Sequence, residues 1–487
     1  MSCRIRLSFL CILFTCVPAL LIAQACDCPA TFRWVVKIFS ENDAGYTYAL
    51  EEKGREAYDA MLTETTAAAD TVTQLANCSA PIAGYLGWFR PGHWGIRYLG
   101  EETQRTPAPV SDDSLRARYA DWPRVEGDLA KLEEELLRSD DPFEGVWLSG
   151  DYRIGVQQQE DGRYLGVILA ADSTYWVPGQ IKLEWTPDSS LTYYMQDHSP
   201  RHVSTPQLVG KNFAVADWVN LTRETPRPND DPGVVRYRRA STTEGPYLER
   251  IDATTLYFRI PSFHQQQKPA IDSVVAAHRQ EILSTKNLIL DIHSGTGGSD
   301  ASYGELIPFL YTNPMHHHGV EYYSTALNNQ RMLDFAEDTY GWGFSEEFRE
   351  WAREAYPILQ ARQGEFVNLD ATTYEVERLD TVYPFPATVA IIIDGGNGST
   401  DEQFLLAAKQ SRKVKLFGQS TFGVLDISNM YQVKDPCQQY ELSYSLTRSF
   451  RIPGFAIDGI GIQPDVFIDD SVPKWRWVEF VRDVFAD

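Results

Sequence analysis

Ser399 stands where a serine can become a nucleophile. Val389, Ile391, Ile392 and Ile393 form an apolar, mostly β-branched run that predicts a strand ending at Asp394. Gly395, Gly396 and Gly398 predict a tight turn, and Thr400 to Ser411 carries helical spacing. Strand, glycine turn, serine, helix is a geometry that lifts a hydroxyl out of a sheet and aims backbone N–H groups at whatever it attacks. The chemistry would be acyl transfer. The same residues also read as a helix cap, because Ser399, Thr400, Asp401 and Glu402 make a capping box. Capping does not require the preceding glycines, which suit a turn where backbone approaches something closely.

A second stretch has the same shape. Asn287 to Ile292 reads as a buried strand and runs into His293, Ser294, Gly295, Thr296, Gly297, Gly298 and Ser299. The turn lacks the Gly-Lys-Ser/Thr of a phosphate loop, and its glycine spacing is wrong for a dinucleotide fingerprint. Amides in such a turn can serve as an oxyanion hole. Two turns of this kind in one parallel sheet would open at the same carboxyl edge.

Other polar clusters read as bland. His316, His317 and His318 follow Pro314 in a stretch that predicts a solvated loop, with no carboxylate at a fixed metal-ligand spacing. No metal site and no cofactor is expected.

The elements that must position these residues fall into three blocks. Residues 26–140 predict a mainly helical domain, with helices over Thr47–Thr63, Ala67–Leu75 and Val125–Arg138 and an exposed loop over Thr106–Asp113. Within it, Gly84 to Tyr98 predicts two short aromatic strands around a turn at Pro91 and Gly92, with His93 at the tip. Residues 141–240 predict a small antiparallel β-domain, from short alternating runs such as Tyr152, Ile154 and Val156. Residues 241–487 alternate strand and helix, which means a largely parallel sheet with covered faces, closed by a packing helix over Pro473–Phe485.

Residues 1–25 predict an export signal. Arg4 and Arg6 precede an apolar core, and Ala23-Gln24-Ala25 is a small-x-small cleavage site. No later run of about 18 uncharged apolar residues predicts a membrane span. The net charge of −23 and pI of about 4.8 argue against nucleic acid and anionic membrane surfaces as partners. Cys26, Cys28, Cys78 and Cys437 remain after cleavage, and an even number in an exported chain permits disulfides, with Cys26 or Cys28 joined to Cys78. Cys26 follows the cleavage site and also offers a position for lipid attachment. The expected location is periplasmic or secreted.

Four motifs in one order resemble the tail-specific (C-terminal processing) serine peptidases. The Asn287–Ser299 stretch is similar to their Asp-Leu-Arg-x-Asn-x-Gly-Gly strand, and the Ser399 stretch resembles their nucleophile motif with Glu402 three residues on. Val414 to Gly423 is similar to the strand and Gly-x-x-Thr-x-Gly turn that follow, and Ile457 to Asp465 resembles the Gly-x-x-Pro-Asp element. One branch of the family uses a Ser–Lys dyad with lysine after the second turn glycine, where this chain has Val424; Lys409, Lys413 and Lys415 read as surface charges. The tricorn-core-like branch uses serine, a histidine from a preceding helical domain, and an acidic residue. That resemblance implies a crotonase/ClpP-like catalytic sheet, with Ser399 as nucleophile, His93 as general base and Asp458 as the orienting carboxylate. It implies an oxyanion hole from Thr400 and Gly297 or Gly298. A base is needed because a serine hydroxyl is a weak nucleophile, and neutral imidazole suits the task. The chain departs from the family at His293, Gly295 and Asp458, and no PDZ domain reads between the helical and catalytic parts. The expected function is hydrolysis of peptide or protein substrates through an acyl-enzyme. The alternative is a degenerate member that acts as a peptide- or protein-binding scaffold.

Overall fold

The computed structural model describes residues 26–100, 117–171, 174–186, 190–204 and 206–486. The export signal of residues 1–25 and the loop expected over Thr106–Asp113 lie outside the described residues.

The strands that run into both glycine turns belong to a six-stranded sheet. Its order is Tyr247–Arg250, Thr255–Arg259, Asn287–Asp291, Thr388–Ile393, Val414–Gly418 and Val466–Phe467. Only the first pairing is antiparallel. Both faces are covered, so its central strands are apolar at consecutive positions. Leu288, Leu290, Val389, Ile391 and Ile393 face one core with Phe404 and Leu405 of the helix Thr400–Ala408. Ile289, Ala390 and Ile392 face the other core, closed by Trp477, Val478 and Val481 of the helix Trp477–Ala486. The terminal packing helix expected from sequence is therefore present.

Residues 145–225 form one nine-stranded antiparallel sheet around buried Trp147, Trp176 and Trp185. The helix Leu129–Leu136 packs on this sheet through Leu132 and Leu136 against Val146. It does not close the amino-terminal helices.

Those helices, Cys28–Asn42, Tyr46–Lys53, Arg55–Thr71 and Ser79–Phe89, share a core with the carboxyl-terminal part of the chain. Phe32, Phe39, Tyr85 and Phe89 pack with Tyr440, Leu442, Tyr444 and Leu446. The first of the two aromatic strands expected over Gly84–Tyr98 is instead the end of a helix, since Ile82, Tyr85, Leu86 and Phe89 recur at three and four and bury one face. The second is a strand, but it has no local hairpin partner. Gly95–Tyr98 pairs antiparallel with Tyr440–Ser443, at the start of the strand Tyr440–Ser449. That strand pairs on its other edge with Ile427–Lys434. The segment Asp300–Leu310 is two single 3₁₀ turns and the short helix Ile307–Leu310. Met315–His318, expected as a loop, is a strand paired with Tyr374–Glu377, where His317 Nε2 lies 3.1 Å from Glu377 Oε2.

Two disulfides tie this arrangement. Cys28 joins Cys78, and Cys26 joins Cys437 in the turn of the 427–449 hairpin. The second bond corrects the lipid-attachment alternative, because one sulfur cannot carry both a disulfide and a thioether. Among the described residues no helix is long and apolar enough to cross a membrane. The Cys26–Cys437 bridge spans 411 positions. Closing so long a loop removes much unfolded-state entropy, so the Cys26→Ser/Cys437→Ser variant is expected to lose about 3–5 kcal/mol. Urea denaturation measures it, and an unchanged midpoint would contradict it.

Candidate active site

The strand Thr388–Ile393 is buried beyond its first residue and pairs in parallel on both sides. It stops because side chains take over its backbone groups. Asn397 Oδ1 accepts the Asp394 amide at 2.8 Å, and Asp394 Oδ1 accepts the Gly396 amide at 3.0 Å. Asn397 Nδ2 donates to Ile292 O at 2.6 Å and to Asp401 Oδ2 at 2.9 Å, locking the two turns together. The chain then enters Ser399 at φ 59°, ψ −120°, a conformation that costs a non-glycine residue roughly 1–3 kcal/mol. Ser399 is half-buried at the N-cap of the helix Thr400–Ala408.

The capping box read from sequence is present, and its glutamate does more than cap. Glu402 is fully buried, with Oε2 accepting the amides of Ser399 at 3.2 Å and Val424 at 2.9 Å. Its Oε1 accepts Thr421 Oγ1 at 2.5 Å and the Gly423 amide at 2.8 Å. Glu402 thereby fastens the nucleophile turn to the Thr421–Val424 turn.

The second glycine turn lies against Ser399. A Cβ on Gly297 would stand 2.8 Å from Ser399 Cβ and 3.2 Å from the Thr400 amide nitrogen. Gly297 and Gly298 have φ of 78° and 148°, which favour glycine. Gly298 is pressed on Phe263, whose carbonyl would lie 2.2 Å from an added Cβ. Asp401, almost fully buried, accepts Asn397 Nδ2 on its Oδ2, and burial pushes its carboxyl up to about 7. The Gly295 position has no room for a side chain, since a Cβ there would stand 2.5 Å from Asp401 Oδ2. His293 turns away from the turn. Its Nδ1 lies 2.6 Å from Asp291 Oδ1, and its ring stacks on Tyr237 at 6.1 Å.

His93 is brought to this edge by the strand pairing of Gly95–Tyr98. Val424, standing where the dyad branch carries lysine, bridges the two glycines that precede His93 and Ser399. A Cβ on Gly92 would meet Val424 Cγ1 at 2.8 Å, and a Cβ on Gly398 would meet Val424 Cγ2 at 2.7 Å. None of the three candidate lysines is bonded to Ser399: Lys409 reaches Gln463 O, Lys413 reaches Tyr383 O, and Lys415 is exposed. The His93 ring places Nδ1 2.6 Å from Ile427 O, and burial pushes its pKa down to about 4. With Nδ1–H donated to that carbonyl, Nε2 carries the free lone pair.

Asp458 reaches His93 only through the backbone. Its Oδ1 accepts the amides of Leu425 at 2.6 Å and Asp426 at 2.7 Å, and its Oδ2 accepts the Ile427 amide at 3.2 Å. Asp426 reciprocates, with Oδ2 accepting the amides of Ile457 at 2.5 Å and Asp458 at 2.9 Å, and Oδ1 accepting Arg451 Nε at 2.8 Å. Burial, then the Asp426 charge, pushes the Asp458 carboxyl up to about 6. Sequence reasoning missed Val424 as the bridge and the Ile427 carbonyl as the imidazole's partner. A backbone carbonyl leaves no trace in residue identity. Glu402 was visible through its capping spacing, but its second set of partners was not.

Residues 254–468 match the family model described as Peptidase family S41. The fold is similar to a crystal structure of mature CPAF, at 12% identity over 94% of this chain and 96% of that one, with a TM-score of 0.50. A structure of mature CPAF complexed with lactacystin matches at 13% identity over 94% and 97%, also with a TM-score of 0.50. No curated protein matches the sequence.

Proposed function

Residues 254–468 belong to peptidase family S41, which makes the chain a serine peptidase, and we propose that Ser399 is its nucleophile and His93 its general base. The observation that carries this reading is the Val424 bridge, one side chain bearing on both Gly92 and Gly398. Ser399 Oγ attacks the peptide carbonyl carbon as His93 Nε2 takes the hydroxyl proton. The tetrahedral oxyanion is met by the Thr400 amide at the helix N-terminus and by the amide of Gly297 or Gly298. Gly297 also leaves room beside Ser399, where a Cβ would stand 2.8 Å from Ser399 Cβ. Collapse breaks the C–N bond, and His93 returns the proton to the leaving amine. Water then attacks the acyl-enzyme by the same route in reverse, releasing the acid and Ser399.

Asp458 acts at one remove in this mechanism. It fixes the 425–427 turn, and the Ile427 carbonyl orients the imidazole tautomer in the place where a triad carboxylate stands. The enzyme works on peptides or proteins outside the cytoplasm, without a cofactor. Its two disulfides support an oxidising compartment. The strained Ser399 backbone supports catalysis over the scaffold alternative, because strain of this kind persists where function uses it.

Fluorophosphonate labelling followed by peptide mapping tests the assignment. Phosphonylation is expected on Ser399 alone, with loss of hydrolysis of a quenched fluorescent peptide library in proportion. Modification of a different serine accompanied by full inactivation would overturn it.

A further inference from the structure

His93 sits at φ 53°, a left-handed conformation that a non-glycine residue holds only when its surroundings impose it. Those surroundings are a polar cluster on three segments. Asp43 follows the first helix, Arg90 ends the fourth, and Ser445 lies within the strand Tyr440–Ser449. The Arg90 guanidinium grips Asp43 with both ends, Nη1 to Oδ1 at 2.8 Å and Nη2 to Oδ2 at 2.6 Å. Arg90 Nη2 also donates to the His93 carbonyl at 2.7 Å. Ser445 Oγ donates to the same carbonyl at 3.0 Å and stands 3.5 Å from Ile427 O, the acceptor of the imidazole. The Ser445 amide returns to Asp43 Oδ2 at 3.1 Å. Gly45 makes room for the whole, since a Cβ there would meet Arg90 Nη1 and Ile427 Cγ2, each at 2.9 Å.

Resting on the assignment of His93 as base, we infer that Asp43, Arg90 and Ser445 are positioning residues that hold the His93 carbonyl and thereby aim its imidazole at Ser399. The cluster touches both ends of the catalytic residue, its carbonyl directly and its ring through Ile427. It also crosses the junction between the amino-terminal helices and the hairpin, so it couples docking of those helices to the direction of the base. Arg90 and Asp43 are nearly buried, which makes their fork rigid and the substitution of lysine for arginine a real change.

The test is kinetic. Arg90→Lys keeps the charge and loses the fork; kcat is expected to fall roughly 10–100-fold with KM within about twofold, as for a misdirected catalytic group. Ser445→Ala, the mildest change, is expected to lower kcat roughly tenfold by the same argument. The charges acting on the ring are Arg90, which lowers its pKa, and Asp43, which raises it. Asp43→Asn should therefore move the His93 titration, followed by NMR of the labelled imidazole, to lower pH, and Arg90→Gln should move it higher. A purely structural role would lower the melting temperature without these opposed displacements. Variants that fold, retain wild-type kcat and leave the titration in place overturn the clamp. If the charge variants do not fold, Ser445→Ala decides: normal kcat overturns the clamp and a tenfold loss supports it. A wild-type enzyme that fails to acylate at Ser399 would instead remove the base assignment, and the clamp with it.

Discussion

Ser399→Ala is expected to abolish measurable turnover, with a loss on the order of 10⁶-fold, and to abolish fluorophosphonate labelling while the fold survives. In the proposed mechanism the hydroxyl is the only part of the residue that reacts. The backbone around it is held by groups that the substitution leaves intact, among them Glu402 on the Ser399 amide and Asn397 across the two turns. Alanine keeps the strain at φ 59°; glycine does not. Ser399→Gly should therefore melt at a higher temperature than Ser399→Ala while being equally inert. Labelling that persists in either variant would remove Ser399 from the mechanism, and a glycine variant less stable than the alanine one would contradict the strain.

His93→Ala is expected to cut kcat by roughly 10²–10⁴-fold with little change in KM, the range for losing a positioned general base. Its pH dependence carries a sign. The base works as neutral imidazole, and burial holds the His93 pKa down at about 4, so His93 remains competent far below the usual histidine range. Asp458 protonates earlier, near 6, and the neutral carboxyl is a poorer acceptor for the Leu425, Asp426 and Ile427 amides. The acid limb of kcat/KM should start near pH 6 and end near pH 4. Asp458→Asn should remove the upper step and keep the lower one. A single step near 6.5, unmoved by Asp458→Asn, would mean that an ordinary solvated histidine serves instead.

The Ser399 turn was legible because everything that makes it is local. A β-branched run, three glycines and a helical period lie within residues 387–411, and each part implies its neighbour. The parallel sheet was legible for the same reason, from apolar runs alternating with helical ones. The placement of His93 was harder. Nothing near His93 in the chain marks it, and the strand that delivers it pairs with residues 440–443, a contact no local pattern encodes. The aromatic stretch before it read as a strand because Tyr85, Trp88 and Phe89 favour sheets. Packing of Phe32, Phe39 and Tyr85 together overrode that preference. Asp458 was legible as a residue and illegible as a contact, since its carboxylate is held by three backbone amides, which residue identity does not encode. The Cys28–Cys78 pair was one of the pairings read from sequence, whereas Cys26–Cys437 depends wholly on the fold.

The shared core between the amino-terminal helices and the 427–449 hairpin sets the timing of the enzyme's birth. The helices are synthesised first, yet Phe39, Tyr85 and Leu86 find Tyr440, Leu442 and Tyr444 only when the last tenth of the chain arrives. A nascent chain that has folded as far as Gly423 holds Ser399 and both glycine turns but has no oriented His93 imidazole. His93 gains its ring partner only with Ile427, and its strand partner only with Tyr440–Ser443. Contacts so distant along the chain form late. On the proposed assignment of His93 as base, hydrolysis therefore waits until the amino-terminal helices and the 427–449 hairpin have met.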